Sequence, residues 1–238
     1  MTENENPHLL MVETATEVCS VAVSRGKHVV SYREISPSRD HAQLLVPYIE
    51  ATLSDAGLIC NDLQGIAIST GPGSYTGLRI GISAVKGLCY ALDIPFIAIP
   101  TLQNIASGTM ISLPACPAAD TLIVPLLDAR RMEVYTALFD TNLDMIGEVQ
   151  DIIVDNNSFH DLLSSREVIF CGNGVEKCKE LLSCYPNARF NDTHLSARWM
   201  LKPALKAFQL QMFEDLAYFE PFYFKEYTAA KSRVKGLL

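Results

Sequence analysis

The chain has 238 residues, 49% of them hydrophobic, so it can bury a sizeable core as one large domain or two small lobes. Its formal net charge of −8 excludes a protein that grips nucleic acid over its whole surface. The opening residues are polar and acidic, unlike a signal peptide, and no apolar run approaches the ~18 residues of a membrane span, so the chain is expected in the cytoplasm.

Residues 9–13 read as a short apolar strand, 14–17 as a turn, and 18–24 and 28–35 as two further strands joined by Arg25-Gly26-Lys27. Such short connections make the three an antiparallel meander. From Arg39 the period becomes helical, with Leu44, Leu45, Tyr48, Ile49, Leu53 and Ala56 at three- and four-residue spacing. Pro47 predicts a bend or break in this helix, and Gly57 its stop. Residues 63–69 form the next strand, 77–92 a helix apolar nearly all round, and 96–99 a strand between two prolines. On the helix, Leu78, Ile82, Val85, Cys89 and Leu92 share one face, and Gly77, Gly81, Ala84, Leu88 and Ala91 a second. Two apolar faces imply burial on two sides.

The second half begins with a helix over 101–112 and a proline-containing connector over 113–120. Strands follow at 122–127 and 133–139, around Asp128-Ala129-Arg130-Arg131, and at 148–154. A short helix at 158–164, a strand at 168–171, a helix at 175–183 and a helix at 195–213, irregular at Pro203, complete the series. The order predicts an α/β protein of two lobes, each a mixed sheet flanked by helices, analogous to actin-like (ribonuclease H-like) folds. Expected divisions are 1–105, 106–221 and a tail over 222–238 that carries Lys225, Lys231, Arg233 and Lys235 against Glu226. No internal repeat is visible. Seven scattered cysteines, without Cys-x-x-Cys or zinc-ligand spacing, read as buried reduced thiols.

The chemistry-bearing stretch is Ser69-Thr70-Gly71-Pro72-Gly73-Ser74-Tyr75-Thr76-Gly77-Leu78-Arg79-Ile80-Gly81. A helix N-terminus behind a glycine-rich turn is a natural anion site, with Ser74 and Thr76 as N-cap candidates. The string lacks the Walker lysine, and Thr76 stands where a dinucleotide loop needs glycine. Two readings stay open: a phosphate cradle built from Gly71, Gly73, Ser74, Tyr75, Thr76, Gly77 and Arg79 with Glu13 beside it, or a turn whose glycines permit close helix packing. By itself Glu13 reads as an exposed strand-end carboxylate. His41 reads as a capping or surface histidine, because a metal pair on a helix needs a second ligand at i+4 and Leu45 is there. Asp128-Ala129-Arg130-Arg131-Met132-Glu133 reads as a solvated turn, an inter-lobe salt bridge or a ligand contact. A zinc pair and a Ser/His/Asp order are both missing, which disfavours a peptidase.

With these residues the chain resembles the TsaB (YeaZ) family, a branch of the actin-like TsaD group. The matching strings are Val12-Glu13-Thr14-Ala15-Thr16-Glu17-Val18-Cys19-Ser20-Val21-Ala22-Val23, His41-Ala42-Gln43, the glycine string from Thr70 to Gly81, Asp128-Ala129-Arg130-Arg131 with Glu133-Val134-Tyr135, and Glu220-Pro221-Phe222-Tyr223. The resemblance implies a non-catalytic scaffold in the complex that transfers threonylcarbamoyl to adenosine of ANN-decoding tRNAs. Such a subunit binds a TsaD-type catalytic subunit, which carries a His-x3-His metal pair, and a TsaE-type ATPase joins. It holds tRNA only through the complex and has no cofactor of its own, any ATP and magnesium being carried by the partners. The chain departs from the family where Glu13 replaces a strand-end aspartate and where Lys225 follows Phe224 in place of arginine. Leu44, Leu45, Tyr48, Ile82, Ala84, Val85 and Leu88 are expected at a helix-bundle interface with TsaD, or with a second copy of this chain when TsaD is absent. The alternative is a nucleotide-binding ATPase or phosphotransferase that uses the loop from Gly71 to Gly77.

Overall fold

The computed structural model describes residues 6–37 and 40–224. Strands β1 (Leu9–Glu13), β2 (Cys19–Arg25) and β3 (His28–Ile35) form the meander, followed by α1 (His41–Asp55), β4 (Gly65–Ser69), α2 (Tyr75–Leu92), β5 (Phe96–Ile99) and α3 (Thr101–Ser112). The second half holds β6 (Leu122–Asp128), β7 (Glu133–Phe139), β8 (Met145–Ile153), α4 (His160–Ser165), β9 (Val168–Cys171), α5 (Val175–Leu182) and β10 (Ala188–Asn191). A 3-10 turn at Ala197–Met200 leads into α6 (Leu201–Gln209).

The sheets have orders β3-β2-β1-β4-β5 and β8-β7-β6-β9-β10. In each, the first three strands pair antiparallel and the last two add in parallel. The two halves are therefore one topological unit used twice, and a Gly-x-Gly turn follows the fourth strand of each, Gly71-Pro72-Gly73 after β4 and Gly172-Asn173-Gly174 after β9. Strand β1 shows why the pattern suffices. Leu10 and Val12 point to one face and Leu9 and Met11 to the other, and all are fully buried because helices cover both faces. One face packs under α1, through Leu45, Ile49 and Leu53, and under α2, through Leu78, Ile82, Val85 and Cys89. The other packs under Ala204 and Ala207 of α6. Helix α3 turns Leu102, Ile105 and Ala106 onto the second sheet, against Ile123 and Leu127. It spans the division expected at residue 105.

Several expectations need correction. Helix α1 runs through Pro47 as one element, held by its buried face. The helix expected over 195–213 is a 3-10 turn plus α6, ending at Gln209. Strand β10 was not expected, because Ala-Arg-Phe-Asn is short and half polar. Beyond α6 the chain forms a strap over the first half. The Glu214 N–H donates to the Phe96 carbonyl at 3.0 Å, and the Phe222 N–H to the Thr70 carbonyl at 2.8 Å. Phe219 packs tilted against Phe96 and Tyr223 against Tyr75, each at 4.8 Å between ring centroids. Of the expected tail, residues 225–238 with their basic cluster lie outside the described residues.

Candidate functional site

Parallel pairing of β1 and β4 brings two strand ends together, Glu13 and Ser69. Glu13 is fully buried, not an exposed carboxylate, because α3 closes over it. Its Oε1 accepts the Ala15 N–H at 2.7 Å. Its Oε2 accepts Asn104 Nδ2 of α3 at 2.6 Å and the Ser69 hydroxyl. Burial raises its pKa above the ordinary carboxylate value, outweighing these hydrogen bonds. The Asn104 Oδ1 has no partner. Turned over, that amide would accept the proton of a neutral Glu13 in the same packing.

The glycine string closes against the chain itself. Ser74 caps α2, its side chain accepting the Gly77 N–H at 3.2 Å. Gly71 has φ 121°, and a Cβ there would lie 2.2 Å from the Phe222 carbonyl oxygen. At Gly77 a Cβ would lie 2.1 Å from the Thr14 carbonyl oxygen, and Gly73 and Gly81 meet Ala15 and Thr14 in the same way. Two further loop donors are spent internally: the Gly71 N–H goes to Thr101 Oγ1 at 3.1 Å and the Ser74 N–H to the Ala15 carbonyl at 2.6 Å. Thr14 and Ala15 thus pack directly against the glycines of the loop. Thr76 and Arg79 are exposed, and Arg79 donates to the Tyr75 hydroxyl at 2.6 Å. Tyr75 and Arg79, with Tyr223 and Lys86, edge a hollow of about 280 Å³ beneath the strap.

The second half repeats this arrangement with different chemistry. Asp128 ends β6 as Glu13 ends β1, but stays exposed. The Lys177 ammonium of α5 pairs with Asp128 Oδ1 and donates to the carbonyls of Arg131 at 2.9 Å and Glu133 at 2.6 Å. The ion pair lies within one half and does not bridge the two sheets. It ties down a hairpin whose tip, Arg130 and Arg131, has φ of 76° and 50° with both residues exposed.

The structure divides the seven expected interface residues. Leu45, Ile82 and Val85 are core residues, 1%, 4% and 0% exposed, because they share the inward face with Leu78 and Cys89. Leu44, Tyr48, Ala84 and Leu88 are half-buried at the outer edge. The outer surface also includes residues not anticipated: Val46, Tyr90 (84% exposed) and Gly87, where an added Cβ meets nothing within 4 Å. The two faces read from the helical period already divide Ile82 and Val85 from Ala84 and Leu88, and only the second face reaches the outer edge.

His41 is neither cap nor surface residue. It is buried at the start of α1, its Nε2 3.2 Å from the Val18 carbonyl, while Asp40 takes the N-cap position. Among the described residues no group of His, Cys, Asp and Glu side chains is placed to hold a metal ion. Cys19, Cys89, Cys171 and Cys178 are buried, whereas Cys116 and Cys184 are exposed. Burial pushes the Cys19 thiol up to about 11 and those of Cys89 and Cys171 to about 12, so these are inert thiols at neutral pH. Among the described residues no helix is long and apolar enough to cross a membrane.

The family model of tRNA N6-adenosine threonylcarbamoyltransferase, TsaD, matches residues 25–236. The tRNA threonylcarbamoyladenosine biosynthesis protein TsaB of Escherichia coli (strain K12) is 32% identical over 177 residues, 73% of this chain and 74% of that protein. TsaB of Bacillus subtilis (strain 168) is 28% identical over 180 residues, with the same coverage. The solved structure of YeaZ from Pseudomonas aeruginosa superposes with a TM-score of 0.77 at 25% identity, covering 91% of this chain and 99% of that one. A ROK family protein from Streptococcus pneumoniae TIGR4, 8% identical with a TM-score of 0.50 over 86% of this chain and 99% of its own, shares the fold alone.

Proposed function

The chain belongs to the TsaB (YeaZ) family of tRNA threonylcarbamoyladenosine biosynthesis proteins, and from that premise we propose that it is a non-catalytic scaffold subunit. It binds a TsaD-type catalytic subunit through the outer surface of α1 and α2, and a TsaE-type ATPase and the tRNA join through the complex. A second copy of this chain takes the same surface when the TsaD-type subunit is absent. The observation that carries this reading is the filled loop. Thr14 and Ala15 pack directly against the glycines of the string, and Glu13 is buried against neutral partners with burial favouring its protonated form. A buried carboxyl whose charged form is disfavoured, with both oxygens already engaged by protein donors, is a poor metal-phosphate ligand. In the second half Lys177 takes the equivalent space.

Co-elution with a TsaD-type subunit tests the assignment. Wild-type chain is expected to co-elute, and Ala84→Arg or Leu88→Arg to elute as a folded monomer. Unchanged co-elution of both variants would remove the proposed surface. Titration of the isolated chain with ATP and magnesium is expected to give no saturable heat; tight binding with turnover would favour the ATPase reading.

A further inference from the structure

The face of the first sheet that carries α6 is only partly covered. Five strands spaced by about 4.8 Å make a sheet about 19 Å wide, and a single helix shields about 10 Å of it. Helix α6 and the 3-10 turn before it cover β1, β2, β4 and β5, with Leu9, Met11, Ala22, Ala67 and Ile97 beneath them. The meander edge stays open as a groove of about 670 Å³ between β3 and α6. Val29, Ile111, Leu201 and Leu205 give it an apolar floor. Its cations are Lys27, Arg198, Lys202 and Lys206, and among the described residues no acid lines it, although the chain as a whole carries a net charge of −8. Lys206 pairs with Asp144 at 2.6 Å, whereas Lys27, Arg198 and Lys202 make no ion pair among the described residues.

We propose that this groove docks an acidic segment of a partner protein that presents apolar side chains on one face and carboxylates beside them. Charge selects an anionic partner, and the floor selects one with apolar side chains to bury. A single-stranded RNA fits less well, because it needs free aromatic faces for its bases. The two aromatic rings here are taken. The Arg198 guanidinium lies 4.1 Å from the Trp199 centroid and 4.7 Å from the Tyr32 centroid. Trp199 is backed by α3 at Gly108, where a Cβ would come within 2.7 Å of the indole. Arg198 spends one Nη1 donor on the Tyr32 hydroxyl at 3.2 Å, and its Nε is buried, which leaves the other Nη donors. The stacked guanidinium is thereby held at the groove with donors left for a carboxylate.

Trp199 is the only tryptophan of the chain, so its emission reads the groove directly. The probe is a synthetic peptide with leucines on one helical face and glutamates on the other; polyuridylate and the same peptide with lysines for glutamates are the comparisons. The acidic peptide is expected to shift Trp199 emission saturably, with affinity falling as salt rises. Lys27→Glu combined with Lys202→Glu is expected to weaken it at least about tenfold without changing the melting temperature. If this double variant binds the acidic peptide as wild type does, if the acidic peptide gives no saturable response, or if polyuridylate or the lysine peptide gives the stronger one, the proposal is overturned.

Discussion

Glu13 concentrates the chemistry at the scale of single residues. Its folded pKa lies above the unfolded value of 4.5 because burial disfavours the anion. Its contribution to stability is therefore fully present below pH 4.5 and is lost as pH rises through the folded pKa. Glu13→Gln does not titrate, and a turned Asn104 can meet the new amide. We expect this variant to gain on wild type progressively above pH 4.5, read by urea unfolding across the pH range; an identical pH slope in both proteins would contradict a raised pKa. Glu13→Ala leaves the donors of Ala15, Ser69 and Asn104 without a partner and is expected to cost about 3 kcal/mol or more at neutral pH in the same assay. The position of this acid at a strand end was legible in sequence, but its burial was not. Ser69 and Asn104 lie 56 and 91 residues away, and no local pattern reports so distant a pairing. The same holds for His41, whose partner Val18 lies 23 residues back, just before β2.

Elements bounded by prolines and glycines, or by abrupt changes of period, were read closely. Strands β1, β3, β5, β7 and β9 have the limits that their apolar runs predict. The misses share a cause, which is stabilisation from tertiary contacts and not from local propensity. Strand β10 is too short and polar to signal itself, and Pro47 sits in a helix that packing keeps whole. The outer face of α2 offers a test in which stability and binding move in opposite directions. Gly87 is mid-helix with open space around it, so Gly87→Arg is expected to stabilise the monomer by about 0.5–1 kcal/mol, raising the melting temperature by about 2 °C. The same variant is expected to lose co-elution with a TsaD-type subunit, because the new side chain stands where the partner helix would pack. A variant that melts higher and still co-elutes would show that the partner sits elsewhere.

Across the whole molecule, the two halves share a topology but have diverged in what fills their strand ends. The first holds a buried carboxyl among neutral donors, the second an exposed ion pair, Asp128 with Lys177. A fold needs the apolar pattern preserved and few of the residues, so the repeat marks the sequence only at short turns such as Gly71-Pro72-Gly73 and Gly172-Asn173-Gly174. What the sequence did carry was the family, through strings that bring strand ends, loop and strap together in space. The central claim is that the chain contributes assembly and not chemistry, and reconstituted threonylcarbamoylation of an ANN-decoding tRNA tests it most directly. With TsaD-type and TsaE-type proteins present, modification is expected to fall to background when this chain is left out and to return when it is added, while this chain without the TsaD-type subunit gives none. Full modification in its absence, or modification by this chain without the TsaD-type subunit, would contradict the account.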